Sequence, residues 1–372
     1  MKKRMSLQDK AEAALKKAVR GVVARHKKSG RPLAVWLNGK TVLQVDGLVK
    51  HFPIHSGLLQ RRSGEVKAVD GVSFPIARGE TLGLVGESGC GKSTIGKTVM
   101  KLIEPTAGRI VLAGQDITAL KPGAMWPHRR RIQTIFQDPY SSMNPRLPAG
   151  TIVGEPLENF AIAGGREKDS QVARLFERVG LRPDAMRKYA HEFSGGQRQR
   201  LGIAKALAVN PDVIVADEPV SALDVSVQAQ VLNLLIDLQE EFRLAYLFIS
   251  HDLAVMRHIS HRIAVMYLGR IVELTAKRTL FTQPLHPYTE ALLSAATAPD
   301  PKRRRMRKRI VQGDVPSPAN PPPGCHFHTR CPYAIADCKV IAPPLIEVAE
   351  GHHVACLRRP VGGDPGPLSI PG

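Results

Sequence analysis

Nine consecutive residues, Gly86-Glu87-Ser88-Gly89-Cys90-Gly91-Lys92-Ser93-Thr94, set glycines, a lysine and hydroxyls at the spacing G-x-x-x-x-G-K-S/T. That spacing suits phosphate. Glycines let successive backbone N–H groups close around phosphate oxygens, and the start of a following helix favours negative charge. Lys92 then reaches the β- and γ-phosphates of a nucleotide, and the Ser93 hydroxyl suits Mg2+. The apolar run Thr81-Leu82-Gly83-Leu84-Val85 precedes the loop, so the motif stands where a strand passes into a helix. Cys90 occupies a variable position of the loop and reads as incidental.

Further polar groups follow in order. Ile135-Phe136-Gln137-Asp138-Pro139 carries an amide after an apolar strand, and Ser194-Gly195-Gly196-Gln197-Arg198-Gln199 is a second glycine-rich turn entering a helical pattern. Val213-Ile214-Val215-Ala216 is a continuous apolar run of the kind that a parallel sheet buries on both faces. It delivers Asp217 and Glu218 to its C-terminal end, where ligands bind in such sheets. Asp217 suits Mg2+, directly or through water, and Glu218 suits an attacking water. Ser221-Ala222-Leu223-Asp224 comes next, and the run Tyr246-Leu247-Phe248-Ile249-Ser250 ends on His251-Asp252.

The elements that position these groups are legible in outline. Residues 41–80 alternate apolar and polar, which predicts antiparallel strands interrupted by a polar loop over residues 57–64. Strand and helix alternate over residues 81–137 and 211–275, which predicts a mainly parallel sheet covered by helices. Residues 138–210 read as helical, with Val172, Leu175, Phe176 and Val179 on one face of a helix over 169–180. No repeat of this size recurs, so the chain holds one such unit.

The ordered set of motifs resembles the ATP-binding cassette of ABC transporters. The resemblance implies an α/β, ABC-type P-loop ATPase: a RecA-like core with an antiparallel β subdomain and a helical subdomain, over residues 41–280. In that family Ser194, Gly195, Gly196 and Gln197 form the signature turn, which completes the ATP site of the opposite subunit. The family also assigns Gln137 to sensing the γ-phosphate or Mg2+, Glu218 to general-base catalysis, and His251 to holding the γ-phosphate and positioning Glu218. Asp224 bridges the dimer. Phe52, in Lys50-His51-Phe52-Pro53, sits where the family places an aromatic ring on adenine, usually tyrosine; phenylalanine can stack but offers no hydroxyl.

Composition narrows the setting. The chain has 372 residues and a net charge of +20, and no uncharged apolar run reaches the length of about 18 residues that suggests a membrane span. The pore of any transporter must come from separate proteins. Residues 1–40 carry twelve Lys/Arg against Asp9 and Glu12, and residues 302–309 add seven more, so 17 of the 20 net charges lie outside the cassette. Such runs read as solvated tails, or as contacts with anionic lipid. Specific nucleic-acid binding is not expected, because stacking aromatics do not alternate with the basic residues. Within 1–40, Leu7, Ala11, Ala14, Leu15, Ala18 and Val22 share one face of a predicted helix.

Beyond residue 280 prolines break up the chain, and four of its five cysteines gather: Cys325, Cys331, Cys338 and Cys356. Five, six and seventeen residues separate them, unlike the usual two to four within zinc pairs. A reducing compartment disfavours disulfides. Four thiolates can hold an iron–sulfur cluster, and a small appendix with little core of its own needs such a staple.

Leu285-His286-Pro287-Tyr288-Thr289, Gly313-Asp314-Val315-Pro316-Ser317-Pro318, Cys325-His326-Phe327-His328-Thr329-Arg330-Cys331-Pro332 and His353-Val354-Ala355-Cys356 resemble the C-terminal extension of bacterial oligopeptide/dipeptide importer ATPases. With the cassette, the likeness spans residues 41–358 and is strongest to the F-type subunit. It implies ATP and Mg2+ as cofactors, and a heterodimer with a homologous D-type ATPase subunit. It further implies two membrane permease subunits, an extracytoplasmic peptide-binding protein, and a peripheral place at the cytoplasmic face of the inner (plasma) membrane. Some members carry a 4Fe-4S cluster on these cysteines. Zn2+, with His326, His328, His352 or His353 as spare ligands, and free thiols remain open alternatives, as does another solute such as nickel or glutathione. A soluble ABC ATPase acting on ribosomes or nucleic acid is the rival from another class. The extension, residues 281–372, is expected to lie outside the nucleotide sandwich, with little influence on ATP affinity.

Overall fold

The computed structural model describes residues 41–56, 61–140, 143–296, 314–361, 366 and 368. The predicted N-terminal helix and the basic run 302–309 fall outside these residues. The first half of the described chain runs β1 (Thr41–Ser56), β2 (Arg61–Ala77), β3 (Thr81–Val85), α1 (Lys92–Val99), β4 (Ala107–Leu112), β5 (Gln115–Asp116), α2 (Pro122–Arg129) and β6 (Ile132–Ile135). Three helices follow, α3 (Ala149–Asn159), α4 (Gly165–Arg178) and α5 (Gly195–Leu207). The chain returns to alternation with β7 (Val213–Asp217), α6 (Val225–Phe242), β8 (Ala245–Ile249), α7 (Leu253–Ile259), β9 (Arg262–Tyr267), β10 (Arg270–Ala276), α8 (Lys277–Thr282) and α9 (Pro287–Ala296). Two short strands close it, β11 (Ile346–Ala349) and β12 (His352–Val354).

Two sheets organise these elements. β2, β1, β4 and β5 form an antiparallel sheet, as the alternation of residues 41–80 predicts. The larger sheet has the order β11-β12-β10-β9-β3-β8-β7-β6, parallel from β6 to β9 and antiparallel beyond. Of the predicted polar loop over 57–64, residues 61–64 are strand, because pairing with β1 carries β2 back to Arg61, and 57–60 fall outside the described residues.

Why the central strands are apolar at every position is visible in β8. Tyr246 and Phe248 enter one hydrophobic cluster, whereas Ala245, Leu247 and Ile249 enter another. Side chains alternate across a strand, so a strand with cores on both faces has no polar side. In β7 the same division sets Ile214 and Ala216 against Val213 and Val215. The helical segment packs on the first cluster: Val172, Phe176 and Val179 of α4 and its C-terminus are fully buried, each contributing about 1.5–3 kcal/mol of apolar burial.

The extension's two strands were not foreseen. β12 pairs antiparallel with β10 through Glu273–Val354 and Leu274–His353, and so joins the cassette's own sheet. Phe327, Tyr288, Tyr333 and Val354 are buried there. The appendix therefore draws on the cassette for its core, where the sequence reading looked to a four-cysteine staple.

Candidate ATP-binding site

The phosphate loop leaves β3 and ends at α1, the helix beginning with Lys92. Gly91 precedes the helix at φ 107°, and a Cβ placed there would stand 1.9 Å from the Ala68 carbonyl oxygen. Only glycine meets both demands. Lys92 Nζ donates to the carbonyl oxygens of Gly86 at 2.8 Å and Glu87 at 3.0 Å, so its buried ammonium lies back across the loop it serves.

β6, β7 and β8 bring the other polar groups to the same end of the sheet. Ser93 Oγ donates to Asp217 Oδ1 at 3.0 Å. Burial pushes the Asp217 carboxyl up; the Ser93 bond opposes that shift and the neighbouring Glu218 charge adds to it. A carboxylate penalised in this way, beside a hydroxyl, fits a hard divalent cation, since Mg2+ takes oxygen ligands and restores the missing positive charge. Ser93 and Asp217 thus suit Mg2+, and Gln137 bonds to Glu218, the residue after Asp217.

Glu218 sits at the centre of a second set. One oxygen lies 3.0 Å from His251 Nδ1 and the other accepts from Gln137 Nε2 at 3.3 Å. Its backbone adopts φ 46°, a left-handed conformation that costs a non-glycine residue about 1–3 kcal/mol. The Glu218 amide donates to the Ile249 carbonyl at 2.9 Å, and this tie to β8 holds the strained residue in place.

The remaining predicted residues form other groups. Ser194 and Gln197 cap each other at the start of α5: Gln197 N donates to Ser194 Oγ and Ser194 N to Gln197 Oε1. Gly196 needs its missing side chain, because a Cβ would lie 2.4 Å from Val227 Cγ1 of α6. Asp224 begins that same helix, so the glycine-rich turn and Asp224 share one surface. Phe52 lies on β1, with Lys50 Nζ 4.9 Å from its ring centroid. The other members of the loop, Glu87, Ser88, Gly89 and Thr94, follow its path from Gly86 into α1.

Sequence reasoning missed the residues that reach the loop from behind. Tyr288 Oη accepts from the Glu87 amide at 2.9 Å, and Arg330 grips the Glu87 carboxylate through Nη1 at 2.9 Å and Nη2 at 3.1 Å. The extension therefore touches the phosphate loop, contrary to its expected separation from the ATP chemistry. Both residues stood in the quoted C-terminal motifs, yet neither motif says what they face.

The four cysteines do meet. Cys325, Cys331, Cys338 and Cys356 line one small cavity with Phe327, His328 and Tyr333. Burial pushes the Cys325 thiol up to about 11, and burial raises Cys331 and Cys356 also, each thiol feeling the charge of its neighbours. Among the described residues, however, no group of three or more His, Cys, Asp or Glu side chains is arranged to hold a metal ion. The expected 4Fe-4S cluster, and its Zn2+ alternative, are not supported by that arrangement.

The chain matches the ABC transporter family model over residues 69–221 and that of the oligopeptide/dipeptide transporter C-terminal region over residues 272–338. It is 56% identical over 321 residues to the oligopeptide transport ATP-binding protein AppF of Bacillus subtilis, covering 86% of this chain and 98% of that one. A probable peptide ABC transporter ATP-binding protein of Sinorhizobium fredii is 55% identical over 318 residues, covering 86% and 90%. Among solved structures, the dimeric ATP-binding cassette MJ0796 in a post-hydrolysis state bound to ADP and Pi has a TM-score of 0.57 and 28% identity, over 63% of this chain and 99% of that one. Fold and sequence together define an ABC-type ATP-binding cassette. The chain belongs to the oligopeptide/dipeptide ABC transporter ATP-binding proteins, whose chemistry is ATP hydrolysis coupled to transport.

Proposed function

We propose that this chain hydrolyses ATP at the phosphate loop, with Glu218 as general base, and that the hydrolysis drives import of di- and oligopeptides through two separate membrane permeases. The observation that carries the reading is Glu218 held between His251 at 3.0 Å and Gln137 at 3.3 Å, one residue from the Asp217–Ser93 pair. A carboxylate fixed by both oxygens can orient a water and take its proton, whereas phosphoryl transfer otherwise needs chiefly positioning and charge neutralisation. Lys92 would supply positive charge to the β- and γ-phosphates, and His251, which holds Glu218 and is 58% exposed, would meet the γ-phosphate. Ser93, Asp217 and Gln137 would hold Mg2+, which would supply charge neutralisation on the phosphate oxygens. Phe52 offers its ring to adenine.

Residues 194–197 and Asp224 face a second cassette in this reading, that of a homologous D-type ATPase subunit. The solved relative MJ0796, described as dimeric, supports a two-cassette assembly. An extracytoplasmic peptide-binding protein feeds the permeases, and the chain works at the cytoplasmic face of the inner membrane. Among its described residues no helix is long and apolar enough to cross a membrane.

Replacing Glu218 by Gln is expected to keep ATP binding and to lower turnover of the assembled complex by about 10² to 10⁴. Steady-state phosphate release beside equilibrium ATP binding measures both; near-normal turnover would remove Glu218 from the role of base.

The meeting of four cysteines at one cavity supports a second reading for the extension, a site whose four thiolates would hold a 4Fe-4S cluster. Against it stands the lack of a metal-holding group among the described residues. Anaerobically purified protein with about four irons per chain, reduced by Cys331→Ser and unchanged by Cys90→Ser, would favour the cluster. Protein with no iron would leave a buried thiol cavity.

A further inference from the structure

Glu87 is the second residue of the phosphate loop, and every part of it is engaged. Its carbonyl accepts from Lys92 Nζ at 3.0 Å, its amide donates to Tyr288 Oη at 2.9 Å, and its carboxylate takes both terminal nitrogens of Arg330. The Arg330 side chain is 9% exposed. Tyr267 and Phe327 stand beside its guanidinium, their ring centroids 5.9 and 6.0 Å away, and Tyr267 Oη is 3.4 Å from Nη1. Tyr267, Tyr288 and Phe327 pack on one another with centroids 4.7 to 5.4 Å apart. A forked, largely buried arginine–carboxylate pair fixes orientation more firmly than a single surface ion pair. It also answers an electrostatic problem, since an unpaired carboxylate on the lip of a phosphate loop would repel the polyphosphate.

We propose that Arg330 is a positioning residue for nucleotide binding: by gripping Glu87 it neutralises a carboxylate in the phosphate loop and makes ATP affinity depend on the C-terminal extension. Arg330 acts through Glu87 and does not itself touch the nucleotide. It directly precedes Cys331, which lines the cysteine cavity, so whatever orders that part of the extension also places the guanidinium. The inference rests on the phosphate loop being the ATP site.

The test compares full-length Arg330→Ala, Glu87→Gln and the double variant by equilibrium ATP binding, with KM for ATP and kcat read in the assembled complex. Arg330→Ala is expected to weaken ATP binding and raise KM about tenfold, within the usual range of coupling between sites, while kcat changes little. Glu87→Gln, which removes the carboxylate and leaves the arginine's positive charge in place, is expected to lose less ATP affinity than Arg330→Ala. The double variant recovers much of the lost affinity, because the repelling carboxylate is gone. A merely structural contact predicts instead that both single variants lose affinity alike and that the double variant is no better than Arg330→Ala; either result overturns the proposal, as does unchanged affinity in Arg330→Ala. If Arg330→Ala does not fold, Arg330→Lys and Glu87→Gln carry the same contrast, with partial retention of affinity expected in the first and a smaller loss in the second. Lys92→Ala is the control for the underlying site: unchanged ATP binding there would sink the site and the inference together, whereas loss there with no effect of Arg330→Ala would sink the inference alone.

Discussion

The phosphate loop and the cysteine-bearing extension touch each other, yet different physics holds each in shape. The loop is built from near neighbours: Lys92 bonds to carbonyls five and six residues back, and the turn exists because glycine stands where φ is positive and a carbonyl presses close. The extension is built from distant partners. Glu273 of β10 accepts from the amides of Leu285 and His286 at 2.8 and 2.9 Å and from His352 Nε2 at 2.7 Å, and Arg330 reaches a residue 243 positions away. A motif made of neighbours can be recognised in a sequence by its spacing. A clamp made of partners far apart in the chain leaves no such trace.

The largest expected effect comes from disturbing the local half of this contrast. Gly91→Ala places a Cβ against the Ala68 carbonyl and asks alanine to hold φ 107°. The loop must shift on the scale of an ångström, and displacement of that size costs about 10² in a positioned site. ATP affinity should therefore drop by about that factor while the sheet persists, as circular dichroism together with equilibrium ATP binding would show. Retained affinity would mean that the loop has more room than the contact with Ala68 allows.

Much of the core was legible for the same reason. The apolar run of β7, with Asp217 and Glu218 at its end, predicts both a strand buried on two faces and a reactive edge, and the structure brings Asp217 to Ser93 there. The polar triad around Glu218 could be named from motifs, but its distances depend on how β6, β7 and β8 lie side by side. β11 and β12 were not legible: they are four and three residues long, and β11 alternates half-buried and exposed positions rather than forming an apolar run. The meeting of the four cysteines was anticipated from their number and from the resemblance of the extension to that of importer ATPases. That burial raises the thiols of Cys325, Cys331 and Cys356 was not legible, because only the fold encloses them, in a cavity shared with Phe327 and Tyr333.

The smallest effect expected lies in the anchor that joins the extension to the sheet. His286 is fully enclosed, and burial pulls its pKa down from 6.5 to about 4, against the nearby Glu273 charge and the Ala355 backbone contact, which raise it. The folded protein therefore prefers the neutral ring, and on acidification the unfolded chain takes up the proton first. The stabilisation is complete above about pH 6.5 and is lost progressively as pH falls towards 4. At pH 5.5 the fold should be about 1 kcal/mol less stable than at pH 7.5 on account of this residue, at 1.36 kcal/mol per unit of pKa difference. His352 and Glu273 lie at the same anchor, and His353, also lowered chiefly by burial, is close by. A variant must therefore single out the group responsible. His286→Asn cannot take up the proton, and its amide oxygen can still accept from the Tyr288 amide in place of Nδ1. Urea midpoints at the two pH values should then differ by about 1 kcal/mol less in His286→Asn than in the unaltered protein. An equal difference in both would move the acid sensitivity to the other histidines. Hydrogen exchange in α9 and β12 that rises at pH 5.5 before that of β7 and β8 would place the weakening at this anchor rather than in the strands that carry Asp217 and Ile249.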